Sequence, residues 1–372
     1  MRIILCGGGT AGHVNPAIAV AEEIKKQFPE AEILFVGREG GKENDLVTKA
    51  GIKLKTLKIQ GLKRSISLEN IKRVYTALQA RSSAIKLIQR IRPDVILGTG
   101  GYVTWPLISA GCSLGIPTAI HESNIIPGIT TRLLSKKCSI VFLNREDTKK
   151  HLSSKANTIV VGNPLRDDFS KITKEQSRLK LGIGRDEVLI VSFGGSIGAD
   201  KLNHVILEVM EKHSSRENKI KHIHATGQRY YSNLSEKEKN LGKNKCKVLP
   251  YIHNMPTILR AADIAICRSG AITISELCAA GATPILIPSP NVTDNHQLKN
   301  ALYLSEKGGA FIIEEKNLSA DALINLLIDT ENDKNGRKKR AKILQSLSTP
   351  DSAKRIVKEL ILLKNSNKKT VF

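Results

Sequence analysis

Residues 2–13, RIILCGGGTAGH, and residues 188–199, VLIVSFGGSIGA, open the two halves of this 372-residue chain in the same way. Each is a short apolar run, a glycine-rich turn and the start of a helical pattern. Working outward from them, apolar runs alternate with helical stretches along the whole chain. In the first half the predicted strands are Arg2–Cys6, Glu32–Val36, Lys55–Ile59, Val95–Leu97, Thr118–Ile120, Ile140–Leu143 and Thr158–Val161, with helices such as Pro16–Gln27 and Leu68–Arg92 between them. In the second half they are Val188–Phe193, His222–Ala225, Lys247–Pro250, Ile264–Cys267, Pro284–Ile287 and Ala310–Ile313. Such alternation predicts an α/β protein with parallel sheets covered on both faces. A polar break near residues 162–181 divides it into two Rossmann-like domains facing across a cleft, at 1–165 and 166–350. The lysine-rich tail, helical from Ala353 to Leu363, is expected to pack back on the first domain as a helix over 351–365.

Composition narrows the partners. Lys and Arg number 58 against 35 acidic residues, a formal charge of +23, which favours anionic partners such as acidic lipid or phosphorylated ligands. A lysine-rich proteome gives the same excess. Aromatic residues are only 4%, and no stacking motif accompanies the charge, so nucleic acid is not expected. No apolar run reaches the length of a membrane helix, and the glycines end the N-terminal run too early for a signal peptide, which predicts a protein that stays in the cytosol. Six cysteines without a C-x-x-C pair read as reduced, buried thiols.

The chemistry concentrates in the turns after strands. Gly7 to Gly12 satisfy G-x-G-x-x-G, but His13 follows at once where a dinucleotide loop would simply enter its helix. The positive end of the helix dipole disfavours an imidazolium there, so a neutral His13 beside an anion-friendly loop is a candidate general base; a capping or packing role is the alternative. Residues 98–102 (GTGGY) and 194–198 (GGSIG) are further glycine turns that let backbone N–H groups approach an anion, with the Ser196 hydroxyl added. In CRSGAITISELCAAG (267–281), Glu276 lies one to two turns into a helix, placed to accept bonds from ribose hydroxyls. In the loop that follows, His296 and Gln297 suit sugar hydroxyls. The chain contains no D-x-D, so metal-independent chemistry is expected, with Ser196, Arg166 and helix N-termini stabilising a leaving diphosphate.

With these motifs in order, GGGTAGHVNPAIAVAEE, GTGGYVTWP, HESNIIPG, VGNPLR, GGSIGA, RSGAITISELCAAG and TDNHQLKNA, the chain resembles the MurG family, transferases that add N-acetylglucosamine to lipid I to make lipid II for peptidoglycan. The resemblance implies a GT-B glycosyltransferase fold, a UDP-GlcNAc donor and an inverting transfer to the 4-hydroxyl of the acceptor's N-acetylmuramyl sugar. It places donor contacts on Thr10, Ala11, Gly12, Asn124, Arg166, Ser196 and Ile252. Further donor contacts fall on Ala271, Ile272, Thr273, Glu276 and Gln297, with catalysis on His13 or its competitor Glu122. Two departures stand out: His296 where the family often has a first glutamine, and Ala11 where glycine is frequent.

Lipid I is held in the bilayer, so the enzyme is expected at the cytoplasmic face as a peripheral protein. Between Lys58 and Arg92 lie nine basic residues and one acidic residue, Glu69, interleaved with apolar ones, which reads as a basic amphipathic element for an anionic membrane surface. A core-facing stripe accounts for part of it. Trp105 reads equally as an interfacial anchor or a packed aromatic. Other readings are a transferase acting on another glycolipid, a UDP-GlcNAc 2-epimerase of the same fold, and an NAD(P)-dependent oxidoreductase; the last leaves the second-half motifs unexplained.

Overall fold

The computed structural model describes residues 1–41, 43–61, 68–166, 168–195, 198–214, 219–242 and 245–369. The chain forms two compact units, Met1–Arg166 with Thr349–Phe372, and Asp167–Ser348.

In the first unit, strands β1 (Arg2–Cys6), β2 (Glu32–Arg38), β3 (Lys53–Leu57), β4 (Val95–Gly98), β5 (Thr118–Glu122), β6 (Ile140–Leu143) and β7 (Thr158–Val160) form a parallel sheet in the order β3-β2-β1-β4-β5-β6-β7. Successive residues of β1 point to opposite faces, and both faces are core. Ile3 and Leu5 pack with Val14, Ile18 and Phe35 on one side, while Ile4 and Cys6 pack with Ala84, Ile88 and Leu107 on the other. The C-terminal helix Ser352–Lys369 closes the first of these faces with Ile356, Val357 and Leu360.

The second unit repeats the plan. Strands β8 (Val188–Phe193), β9 (Ile220–Ala225), β10 (Cys246–Leu249), β11 (Ile264–Cys267), β12 (Thr283–Leu286) and β13 (Phe311–Ile312) run parallel in the order β10-β9-β8-β11-β12-β13. In each sheet the order reverses at one pair, β1/β4 or β8/β11. In doubly wound sheets a ligand crevice opens at the carboxyl ends of such a pair.

Two elements and one thiol stand out from the sequence reading. The first helix runs Ala11–Gln27, five residues earlier than its proline suggested. Pro16 sits inside it, one turn past the helix start, so the helix forgoes only the bond that residue 16 would have made to the Gly12 carbonyl. Strand β3 falls two residues early because its only partner, β2, sets the register from Leu34↔Lys53 to Arg38↔Leu57, and Ile59 is buried beyond the strand's end. Cys112 is half-buried, whereas the other five thiols are buried; all six are free.

The second unit is fastened at its base by Asp263. Its carboxylate accepts from Lys174 Nζ at 2.7 Å, Arg178 Nη1 at 2.8 Å and Leu189 N at 3.0 Å. The helix that supplies both cations, Lys174–Leu181, opens on a Thr173–Gln176 capping box and ends at left-handed Gly182. Burial by itself raises the Asp263 pKa, but the Lys174 and Arg178 charges and the Leu189 N–H outweigh it and hold the carboxyl below its ordinary value. Such a carboxylate stabilises the fold above the unfolded pKa of about 3.9, and the contribution disappears as pH falls through the lower folded value. Asp263→Asn is expected to destabilise this unit by about 3 kcal/mol at pH 7, the scale for stripping one partner from a largely buried ion pair. The gap from wild type should shrink as pH drops below 4, read by denaturant unfolding at several pH values; a gap independent of pH would overturn the assignment.

Candidate functional site

The carboxyl ends of β1 and β4 are built by two glycine turns that interlock. A Cβ on Gly101 would stand 2.1 Å from the Gly8 carbonyl oxygen, and one on Gly7 would stand 2.4 Å from Thr99 Oγ1. Only glycine permits either approach, and Gly101 also takes φ +78°. Thr99, buried between the turns, donates to the His13 carbonyl at 2.6 Å and to the Cys6 carbonyl at 3.2 Å.

His13 is seated by this arrangement. It is the third residue of its helix and half-buried, and its ring lies against Gly100, where a Cβ would approach Cδ2 to 2.6 Å. Nδ1 sits 3.0 Å from the Gly8 carbonyl oxygen and 3.4 Å from Thr10 Oγ1. A carbonyl only accepts, so Nδ1 carries the hydrogen and the lone pair of the neutral ring is on Nε2. His13 is thus a packed residue whose ring lone pair lies on Nε2. Thr10, Ala11 and Gly12 form the turn into its helix, and Thr10 gives that helix no side-chain cap.

Glu122 ends β5, two strands from β1 and so about 10 Å away across the sheet. It is buried, and its oxygens accept four hydrogen bonds: Asn124 N at 3.0 Å, Asn124 Nδ2 at 3.2 Å, Gly128 N at 3.0 Å and Thr131 Oγ1 at 2.7 Å. This carboxylate shapes the HESN loop and orients the Asn124 amide. The same loop is tied to the VGNPLR segment by His121, whose Nε2 lies 3.0 Å from the Gly162 carbonyl and whose pKa burial lowers. Arg166, at the end of that segment, pairs with Glu22 at 3.3 Å, nine residues along the helix from His13 and therefore about 14 Å from it. The first-loop residues are brought together; Arg166 is not brought to them.

In the second unit the candidates gather at the carboxyl ends of β8, β11 and β12. Ser196 lies outside the described residues. Near it in sequence, Gly198 packs where a Cβ would stand 2.2 Å from the Thr226 carbonyl, and Asn203 donates to that carbonyl at 2.9 Å. Beyond β11, Arg268-Ser269-Gly270 leads into the helix Ala271–Ala280, whose N-cap Gly270 offers no side-chain cap. The first-turn N–H groups of Ala271, Ile272 and Thr273 thus form an anion-attracting helix start. Ser269 Oγ donates to the Gln297 carbonyl at 2.8 Å, and Asn300 Nδ2 donates to the Ser269 carbonyl at 3.1 Å. These bonds stitch the helix start to the first turn of the helix His296–Glu306, where Gln297 stands rather than in the loop expected from sequence, and its Oε1 accepts from Ser289 N at 2.9 Å. The turn that leads into that helix holds Asp294 and Asn295 at φ +53° and +49°, consecutive left-handed residues that store strain at its mouth. Ile252 is buried just past β10.

Glu276 is the electrostatic outlier. The residue is half-buried, its carboxyl lies beside the Cys267 thiol, and no hydrogen bond or ion pair to it is found among the described residues. Burial pushes its pKa up to about 7. A buried carboxylate without donors is costly unless a ligand supplies them. Thr99, Ser269 and Asn300 were missed as site builders, although all three stand inside the quoted motifs.

Glycosyltransferase family 28 matches the chain in two parts, its N-terminal domain over residues 3–143 and its C-terminal domain over residues 189–356. The UDP-N-acetylglucosamine–N-acetylmuramyl-(pentapeptide) pyrophosphoryl-undecaprenol N-acetylglucosamine transferase of Acetivibrio thermocellus is 39% identical over 96% of both chains. The crystal structure of Acinetobacter baumannii MurG is similar with a TM-score of 0.75 and 25% identity, covering 96% of this chain and 98% of that one. A UDP-GlcNAc 2-epimerase from Neisseria meningitidis shares the fold, with a TM-score of 0.67 and 17% identity, over 97% of this chain and all of that one.

The Glu276 carboxyl is expected to titrate with a midpoint near pH 7 in the unliganded protein. Carbon NMR of glutamate-labelled protein should show one such resonance, missing in Glu276→Gln; a midpoint near 4.5 would mean that the carboxyl is solvated.

Proposed function

The chain belongs to the family of these N-acetylglucosamine transferases, within glycosyltransferase family 28, and on that premise we propose that it transfers N-acetylglucosamine from UDP-GlcNAc to the 4-hydroxyl of the N-acetylmuramyl sugar of lipid I, with inversion, forming lipid II for peptidoglycan synthesis. The observation that carries the mechanism is the seat of His13. With Nδ1 bonded to the Gly8 carbonyl, Nε2 is the basic atom of the ring. It takes the proton of the attacking 4-hydroxyl as the new bond to the sugar C1 forms. The bond from C1 to the diphosphate breaks, and UDP leaves with the electron pair.

The charge that develops on UDP falls to the helix start at Ala271, Ile272 and Thr273, to Ser196 and to Arg166. An exposed pair such as Arg166–Glu22 is worth at most about 1 kcal/mol, so the guanidinium can exchange Glu22 for a diphosphate at little cost. Glu276 receives the ribose hydroxyls, which supply the donors its carboxylate lacks. Gln297 and Asn124 face the sugar, the backbone at Ile252 reads uracil, and Glu122 acts as a positioning residue. The absence of any D-x-D in the sequence supports transfer without a bound metal.

Docking on the cytoplasmic face of the membrane is supported by the helix Leu68–Ile91. Its second half enters the core through Ala80, Ala84, Leu87 and Ile88, but Ile71, Val74, Tyr75 and Leu78 form an outward stripe at 66%, 47%, 63% and 54% exposure. Their i, i+3, i+4, i+7 spacing makes one apolar face, flanked by exposed Lys72 and Lys86. Two of the cations read as lipid-facing turn inward instead: Arg73 bonds the Gly61 carbonyl and Arg81 bonds Ser113. Residues 62–67, with Lys63 and Arg64, lie outside the described residues. Trp105 is half-buried against the first unit's core. No helix among the described residues is long and apolar enough to cross a membrane.

Incubation with radiolabelled UDP-GlcNAc, a short-chain lipid I analogue and EDTA should give labelled disaccharide-lipid. Transfer only after Mg²⁺ is restored would overturn the metal-free reading, and no transfer in either case the activity. His13→Ala should lower kcat about a hundredfold or more; a loss of only a few fold would hand the base role to Glu122. Because the donor bonds the ionised Glu276, KM for UDP-GlcNAc should rise as pH falls below about 7. Glu276→Gln should flatten that dependence.

A further inference from the structure

The carboxyl ends of β8, β11, β12 and β13 stand side by side in the second sheet, and a single residue beyond β13 links groups beyond the other three. Glu315 opens the short turn Glu315–Asn317. Its carboxylate pairs with the guanidinium of Arg268, the residue directly after β11. Its backbone carbonyl accepts from Lys201 Nζ, in the first turn of the helix Asp200–Ser214 that follows β8. Arg268 carries the link on, because its Nη1 donates at 3.1 Å to the carbonyl of Ile287, directly after β12. In sheet order these contacts bridge three strand spacings, about 14 Å.

A cavity of about 300 Å³ opens among the same strand ends, lined by Lys201, Ser289, Asn295, Leu298, Glu315 and Lys316, so close packing does not set their spacing there. The Arg268 and Glu315 side chains are only 13% and 18% exposed. Withdrawing such a pair from water costs about as much as its attraction returns, so it adds little stability while it fixes geometry. Both Nη atoms of Arg268 are engaged, one by the carboxylate and one by a carbonyl, so the guanidinium serves as a strut. The struts end where the donor groups begin. Ser269 and the helix start at Ala271–Thr273 follow Arg268. Ser289, which donates to Gln297 Oε1, lies two residues past Ile287, and Gly198 lies three residues before Lys201.

We propose that Glu315 is a positioning residue of the donor site: acting through Arg268 and Lys201, it sets the spacing of the strand-end turns that meet the UDP-sugar. It touches no reacting atom. This role rests on the transferase reading above and deepens it, by naming what keeps the diphosphate donors and Gln297 at one separation. A diphosphate held between the helix start at Ala271 and the turn at 194–198 needs both at a set distance, and a misplacement of about 1 Å can cost about a hundredfold. Asp263 fastens the amino end of β11 for stability; Glu315 holds its carboxyl end in register for the ligand.

The test combines steady-state kinetics on UDP-GlcNAc and a lipid I analogue with calorimetric titration of UDP. Wild type is compared with Glu315→Gln, Arg268→Gln, the double variant and Lys201→Gln, each checked by thermal melting. Glu315→Gln should raise KM for UDP-GlcNAc and Kd for UDP about tenfold, with kcat falling less than KM rises and KM for the acceptor unchanged. A lower kcat and melting temperature with KM for UDP-GlcNAc unchanged would mean a merely structural role and overturn the proposal. The double variant should be no worse than either single one, since both break the same link. Losses that multiply would mean that Arg268 meets the donor independently, and would overturn the route through it. Lys201→Gln, at an exposed lysine, removes the other link without stranding a buried charge and should raise both constants about threefold. It decides the matter if Glu315→Gln does not fold, because unchanged constants there overturn the role. Wild type that binds no UDP removes the transferase reading itself, whereas Glu315→Gln that binds UDP as tightly as wild type removes only this one.

Discussion

The contact on which the first unit's chemistry depends is one between backbones. Gly101 meets the Gly8 carbonyl at a separation no side chain could occupy, and Thr99 is locked beneath it by bonds to Cys6 and His13. That close approach joins the two turns at the point where strand order reverses. It also fixes the Gly8 carbonyl, which in turn fixes the His13 tautomer. A histidine on an open loop would sample both tautomers; here the donor position is used up by a carbonyl that cannot move without separating the sheet's central turns. The glycines thus have a job different from cradling a dinucleotide. They let two turns mesh closely enough to hold the His13 ring in one tautomer.

The second unit reaches a comparable result with side-chain stitches. Ser269 and Asn300 bind the start of the helix Ala271–Ala280 to the helix His296–Glu306 that bears Gln297, and two consecutive left-handed residues, Asp294 and Asn295, strain the turn that leads into it. Its groups are held in place by the fold itself, the kind of preorganisation on which electrostatic stabilisation of an anion depends.

Most of the architecture was legible because buried parallel strands are unbroken apolar runs, and these stand out in sequence. Four of them, including β1 and β8, match to the residue. What failed did so where tertiary contacts override local pattern. Strand β3 takes its register from β2 rather than from its own apolar residues. The first helix starts where loop bonds allow, ahead of its proline. On the helix Leu68–Ile91 a helical period shows that apolar faces exist but not which of them meets the core, so the exposed stripe at Ile71, Val74, Tyr75 and Leu78 had to come from packing. The candidate site followed the same division. His13, Glu276 and Gln297 were visible as polar residues after strands. The saturation of Glu122 was not, because it arises from the folded shape of a loop that brings two backbone N–H groups and two side-chain donors to it.

Strand β11 shows how one framework serves stability at one end and chemistry at the other. At its amino end Asp263 is buried with two cations and a backbone N–H, and its carboxyl is held below the ordinary range. In the helix that follows its carboxyl end, Glu276 lies near Cys267 with no donor among the described residues, and burial pushes its carboxyl up to about 7. Burial penalises both carboxylates, one just before the strand and one in the helix that follows it; what differs is whether the chain supplies the compensating donors. Folding alone gives no reason to leave Glu276 unsatisfied, since a neutral side chain there would remove the cost. A ligand with hydroxyl donors does give one, because the missing bonds then form only on binding and contribute to affinity. The two ends of β11 therefore separate what holds the domain together from what it holds.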